Sequence, residues 1–120
     1  MCPGEWLMHG GKCYYFSSEL KNWTKSHEYC SSSDSHLAVI KDKAELDFLS
    51  SKIYKYHWIG FFNTAPGRCW TWVNGSALNE TLFTVRGSAE GDRCGSIKIT
   101  NLESSACINE LRWICEKHAE

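Results

Sequence analysis

Proline is scarce in this chain: Pro3 and Pro66 are the two in 120 residues, and none follows position 66. Net charge is scarce as well, at −1 with both signs interspersed, so the basic footprint of a nucleic-acid binder is missing. No apolar run approaches the roughly 18–20 residues that a membrane span needs, and no signal-peptide pattern is present. Met1 directly before Cys2 reads as a start codon set on a domain taken from something longer, so any anchor is expected outside these residues. Gly-x-Ser-x-Gly, His-Glu-x-x-His, P-loop and dinucleotide fingerprints are all absent. His57 beside Trp58 reads as a strand-end histidine rather than a catalytic base. Glu45 and Asp47, two apart on a helix, point to different faces and form no dyad. The expectation is a chain that is not an enzyme and carries no cofactor and no metal.

Cysteine, by contrast, is abundant. Seven cysteines fall at positions 2, 13, 30, 69, 94, 107 and 115, with no C-x-x-C pair, and the five histidines (9, 27, 36, 57, 118) are scattered. That argues against zinc and for disulfides, hence an oxidising, extracellular compartment. Three sequons agree: Asn22-Trp23-Thr24, Asn74-Gly75-Ser76 and Asn79-Glu80-Thr81. The length fits one domain with a genuine core, to which six Trp, five Tyr and five Phe bring large buried areas.

Tyr56-His57-Trp58-Ile59-Gly60-Phe61-Phe62 is the most apolar run, and its aromatic and β-branched content predicts a strand buried on both faces. Before it, Gly10-Gly11 between two short apolar segments predicts a hairpin. A Cys2–Cys13 bridge would staple that hairpin, worth about 2–3 kcal/mol in the chain-entropy model. Trp23, His27 and Cys30 share one face of a helix over 23–33 with Asn22 as N-cap. Residues 36–40 read as a short strand. Asp42 opens a second helix ending near Lys52, with Glu45 as its capping-box partner and Leu46, Phe48, Leu49 and Ile53 on its buried face. After Phe62 the helical period does not return. Cys69 to Val73 alternates as a strand, Asn74-Gly75 is a hairpin turn, and 76–92 reads mostly as loop with a short strand at 82–85. Cys94 to Ile99 and Leu111 to Cys115 are the last expected strands.

The order Cys2…Cys13, Cys30…Cys115 and Cys94…Cys107, with Trp58-Ile59-Gly60 at the centre and Trp113-Ile114-Cys115 at the end, resembles the C-type lectin-like domain over essentially the whole chain. Cys2-Pro3-x-x-Trp6, Cys13-Tyr14-Tyr15-Phe16-Ser17, Trp72-Val73-Asn74-Gly75-Ser76 and Arg112-Trp113-Ile114-Cys115 look like the natural-killer-cell lectin-like receptors and their related ligands. The resemblance implies an α+β C-type lectin-like fold, two helices flanking a mixed or antiparallel sheet with a long loop region, as a single domain over 2–117. It implies disulfides 2–13, 30–115 and 94–107. It also implies the extracellular part of a type II membrane protein at the cell membrane, usually a homodimer.

In the sugar-binding members of that family, calcium is held by Glu-Pro-Asn or Gln-Pro-Asp and by a later Trp-Asn-Asp, because the ion wants several hard oxygen ligands. Here Ser76-Ala77-Leu78-Asn79-Glu80 replaces the tripeptide and Glu90-Gly91-Asp92 stands in place of Trp-Asn-Asp. Glu80, Glu90 and Asp92 therefore read as a solvated loop of mixed charge. What is left is a binding module, and the resemblance implies that it recognises a cell-surface protein through the loops and strands of its second half, here about 63–70 and 76–98. Aromatic anchors with a charged rim would serve there: Arg68, Trp70, Phe83, Arg86, Glu90, Asp92, Arg93 and Lys98 are the expected contact residues. Core packing competes with contact for Phe83 and Trp70, and Trp72 reads as core. Cys69 has no partner in the implied pairing and reads as an intermolecular bridge, as in venom C-type lectin-like subunits, or as a free or buried thiol. The alternative functions are a glycan-binding lectin or a secreted venom-type subunit. Calorimetric titration with Ca²⁺ is expected to show no binding up to millimolar concentrations. Calcium binding with sugar retention on a glycan array would overturn the protein-recognition reading.

Overall fold

The computed structural model describes residues 1–64, 69–88 and 90–120, with Thr64 as backbone alone. The chain opens on the expected hairpin. Strands β1 (Leu7–His9) and β2 (Lys12–Phe16) pair antiparallel across Gly10 and Gly11, whose φ values of 57° and 79° are those a two-residue primed turn requires. Helix α1 (Trp23–Ser32) starts where Asn22 Oδ1 accepts the Lys25 N–H at 2.8 Å. Helix α2 (Lys43–Lys52) starts the same way on Asp42, which accepts the Glu45 N–H at 2.9 Å. The reciprocal half of the box is displaced by one residue: Glu45 Oε1 accepts from Lys41 N, not from Asp42 N.

Between the helices, the strand expected over 36–40 is confined to β3 (His36–Leu37). Ala38 is wedged between two strands, giving its N–H to Ile114 O at 3.0 Å and its carbonyl to Gly60 N at 2.8 Å, so no regular ladder continues. The aromatic run becomes β4 (His57–Thr64), with Trp58, Ile59 and Phe61 fully buried. It is followed by β5 (Cys69–Trp72), β6 (Val85–Arg86), β7 (Arg93–Lys98), β8 (Asn101–Ala106) and β9 (Arg112–His118). The sheet order is β1-β2-β9-β4-β7-β8-β6, with β3 attached to β9 and β5 to β4. β4 runs parallel to β9 and β6 parallel to β8; the other pairs are antiparallel. Two helices with a mixed sheet make the α+β class expected from the sequence.

Two further strand readings need correction. β8 was not anticipated, because Asn-Leu-Glu-Ser-Ser-Ala has neither β-branched nor aromatic residues. It forms because all six of its residues pair with β7 and it buries Leu102 and Ser104 on one face. The short strand expected at 82–85 lies instead at Val85–Arg86, since Phe83 turns into the core at 5% exposure.

β4 is the floor of both hydrophobic clusters. Phe61 joins Tyr14, Leu49, Trp72, Ile97 and Ile114, while Trp58 joins Cys30, Leu37, Trp113 and Cys115. Indole N–H groups tie the chain before and at α1 to this strand: Trp58 donates to Lys21 O at 2.9 Å and Trp23 to Ile59 O at 3.0 Å. The three bridges are Cys2–Cys13, Cys30–Cys115 and Cys94–Cys107, the pairing that the resemblance implied. Cys69, exposed at the start of β5, belongs to none of them.

Gly95 lies directly under the Phe61 ring; a Cβ there would come within 2.1 Å of Cδ1. Neither the fully buried ring nor the central ladder can withdraw freely, and overpacking of this kind costs about 3 kcal/mol. Gly95→Ala is expected to lower the urea midpoint correspondingly, and Gly95→Ala with Phe61→Leu to recover part of the loss.

Candidate functional site

β4, β5 and β7 end together on one side of the sheet. Asn63, near the end of β4, clamps the loop that enters β7: its Oδ1 accepts Arg93 N–H at 3.1 Å and its Nδ2 donates to Gly91 O at 3.2 Å. Opposite, Phe61 holds Trp70 edge-on, with ring centroids 5.3 Å apart, leaving the indole half-buried. Glu90 and Asp92 are exposed on the clamped loop, and Arg86 is exposed on the edge strand β6. Trp70, which pairs with Asn63, thus lies at the same end of the ladder as Glu90 and Asp92.

The other expected contact residues are placed differently. Arg68 lies outside the described residues. Phe83 is a core residue, which corrects its assignment as a contact: its ring is packed beneath the loop rather than offered from it. Arg93 is half-buried and spends its guanidinium on β8, reaching Ser104 O at 3.0 Å and Ser104 Oγ at 3.3 Å. Lys98 stands at the far end of β7, five strand positions or about 17 Å from Arg93, with Nζ 4.8 Å from the Tyr56 ring centroid. His57 is the first residue of β4, as expected; burial, with Arg112 nearby, lowers its pKa despite a hydrogen bond to Lys55 O.

A polar cluster that sequence reasoning missed joins β2, α2 and β9. Lys12 Nζ, on β2, meets Glu45 Oε2 of α2 at 3.0 Å and Glu116 Oε2 of β9 at 3.2 Å. Tyr14 OH donates to Glu45 at 2.6 Å, Glu116 Oε1 accepts from Val39 N at 3.3 Å, and His36 Nε2 stands 3.7 Å from Glu116. Burial alone would depress Lys12, but the two carboxylates outweigh it and raise its pKa. Burial pushes Glu45 up, yet the Tyr14 hydroxyl, the Lys41 N–H and Lys12 overcome it and leave Glu45 lowered. Glu116 has less help: burial dominates and its pKa is raised. The signal was present in the sequence, because Glu45 lies four residues before Leu49 and so shares the buried face of α2.

The match to known proteins follows this architecture. A family model described as the lectin C-type domain matches residues 19–117, and the chain belongs to that family. Within it, the chain is 38% identical over 118 residues to killer cell lectin-like receptor subfamily F member 1 of Homo sapiens, covering 97% of this chain and 51% of that protein. Human subfamily G member 1 is 38% identical over 117 residues, covering 97% and 57%. The chain therefore spans about half the length of these curated relatives. Among solved structures, the C-type lectin domain of murine dendritic cell inhibitory receptor 2, in complex with N-glycan, superposes with a TM-score of 0.88 at 27% identity, covering 99% of this chain and 100% of that one.

Calcium, the ion of the family's sugar-binding members, does not fit the described residues. Among the described residues no three His, Cys, Asp or Glu side chains converge. The amide oxygens of the segment are taken: Asn74 Oδ1 by Ser76 N and Oγ at 3.0 and 2.7 Å, and Asn79 Oδ1 by Thr81 N and Oγ1 at 2.9 and 2.6 Å.

The buried carboxylates set opposing pH dependences. Glu116, raised when folded, contributes stability in full below its ordinary 4.5 and loses it as pH rises through the raised value. Glu45, lowered, contributes above its ordinary 4.5 and loses it as pH falls through the lowered value. Glu116→Gln is expected to abolish the fall in stability above that pH while leaving the fall below it. Urea midpoints taken across the acid-to-neutral range read both limbs.

Proposed function

We propose that residues 2–117 are the recognition domain of a type II membrane receptor, or of a receptor's lectin-like ligand. It docks a protein on another cell without calcium and is displayed as a homodimer on the cell surface. The observation that carries this reading is half-buried Trp70, paired with Asn63 across β4 and β5, beside exposed Glu90 and Asp92 on the loop that Asn63 pins, where no calcium donor set converges among the described residues. An aromatic anchor beside mixed charge suits a protein partner, with the charges setting orientation and encounter rate. The similarity to killer cell lectin-like receptors supports the same role.

Glycans on Asn74 and Asn79 belong to this proposal. Both asparagines are exposed and line one hollow of about 220 Å³ between β5 and the approach to α2, so sugars there would shield that side and leave Glu90 and Asp92 open. Asn22, half-buried as the cap of α1, keeps its amide nitrogen available for a third glycan. Glycan recognition is the second reading, supported by the likeness to the murine receptor solved with N-glycan.

A dimeric form of the chain should stain a subset of lymphoid or epithelial cells in the presence of EDTA. Asp92→Lys should reduce staining about tenfold or more without shifting Tm, and Trp70→Ala should do so at temperatures below its own Tm, which falls because the indole packs against Phe61. Staining abolished by EDTA or by enzymatic removal of cell-surface glycans would favour the lectin reading instead.

A further inference from the structure

At the opposite end of the β4–β7 ladder from Asn63, where His57 pairs with Ile97, the surface changes character. A hollow of about 320 Å³ opens there between the end of α2, the segment before α1 and the start of β9. Leu20 and Tyr54 form its apolar wall while staying 53% and 79% exposed, an area that a soluble surface would otherwise cover. Next to it, Ile99 is 53% exposed at φ 55°, a left-handed conformation that a β-branched residue adopts only under constraint. The constraint is visible: β7 and β8 turn tightly through Ile99 and Thr100, and the Ser50 hydroxyl of α2 donates to the Ile99 carbonyl.

The charge around this hollow is one-sided. Lys55, Lys98 and Arg112 line it against a single carboxylate, Glu110. Among the described residues none of the three cations has a carboxylate within 4 Å; every such ion pair lies elsewhere. Lys98 rests over the Tyr56 ring, and Tyr56 OH is held by Glu103 at 3.1 Å, so the ammonium is positioned without being neutralised. In a chain whose net charge is −1, that is a local concentration of positive charge beside an apolar wall.

From this juxtaposition we propose a second docking surface, for an acidic protein segment that carries an apolar or aromatic side chain. Carboxylates of the segment meet Lys55, Lys98 and Arg112, and its apolar side chain covers Leu20, Tyr54 and Ile99. A sulfated polysaccharide would satisfy the cations but leave the apolar wall in water, so the chemistry favours a peptide. The surface does not depend on the receptor reading, because it shares neither Trp70 nor the clamped loop.

The test is an NMR titration of the ¹⁵N-labelled chain with a random copolymer of glutamate and tyrosine, with polyglutamate and with a heparin oligosaccharide. Shifts from the copolymer are expected at Leu20, Tyr54–Tyr56, Lys98–Ile99 and Leu111–Arg112. Lys55→Glu with Arg112→Glu should weaken binding at least about tenfold, and Tyr54→Ala about fivefold with unchanged Tm. Lys55 and Tyr54 are exposed, so Lys55→Glu and Tyr54→Ala are expected to fold; Arg112 is half-buried, and Lys55→Glu alone, expected to weaken binding by a smaller factor, keeps the charge test if the double variant loses Tm. Shifts confined to other residues, no shifts at all, or insensitivity to the charge reversals would overturn the proposal. So would heparin or polyglutamate binding as tightly as the copolymer with Tyr54→Ala inert, since the site would then read anions alone.

Discussion

A single ammonium group joins three parts of this molecule that lie far apart in sequence. Lys12 comes from the N-terminal hairpin, Glu45 from the second helix and Glu116 from the last strand, and all three meet with little access to water. Through Val39 N, Glu116 also fixes the segment that crosses from β3 towards α2. Burying three charges is costly, and an apolar cluster of the same volume could be as stable. What the triad supplies is register. If β2 slipped by one residue against β9, Lys12 would leave both carboxylates, which would then lie buried without a cation. Tyr14, two residues on and on the same face of β2, repeats the constraint through its hydroxyl on Glu45.

Much of the architecture could be read from residues that act locally. Asn22 and Asp42 cap helices, Gly10-Gly11 turns a hairpin, and an uncharged aromatic run becomes the central strand, because each depends on near neighbours in the chain. The cysteine pairing was legible through family resemblance, where spacing alone left it open. Features decided by distant partners were not legible. β8 owes its existence to pairing with β7, and Ala38 leaves the ladder because two strands compete for its backbone groups. Glu45 looked like a capping residue because its sequence neighbours explain only its backbone; Lys12 and Tyr14 explain its burial. The placement of the loop-half side chains was the least legible. Spacing marks an arginine or a phenylalanine as belonging to a loop-rich half, but whether it faces Ser104, the core or solvent depends on the tertiary path.

The two ends of the β4–β7 ladder are chemically unlike. One presents a half-buried tryptophan among exposed acids, the other an apolar wall with unneutralised cations. Between them the packing is tight enough that Gly95 admits no methyl group under Phe61, and Gly60 none against the Leu37 carbonyl, where a Cβ would come within 2.7 Å. A central strand so confined cannot flex without breaking contacts on both faces. The loops at either end are therefore displayed from a rigid base, which favours binding of a preformed surface.

The Cys2–Cys13 bridge has a mechanical consequence. Tension applied at the N-terminus reaches Cys2 and passes through sulfur directly to Cys13, bypassing β1 and its glycine turn. The load then runs along β2, whose five residue pairs with β9 lie side by side, so the ladder is sheared rather than unzipped. From β9 it reaches α1 through the Cys30–Cys115 bond, and from there the central strand, by way of the Trp23 indole. Traction from that end therefore travels along covalent links and a sheared ladder. The β1 hairpin, the element a pull would otherwise peel first, stays slack.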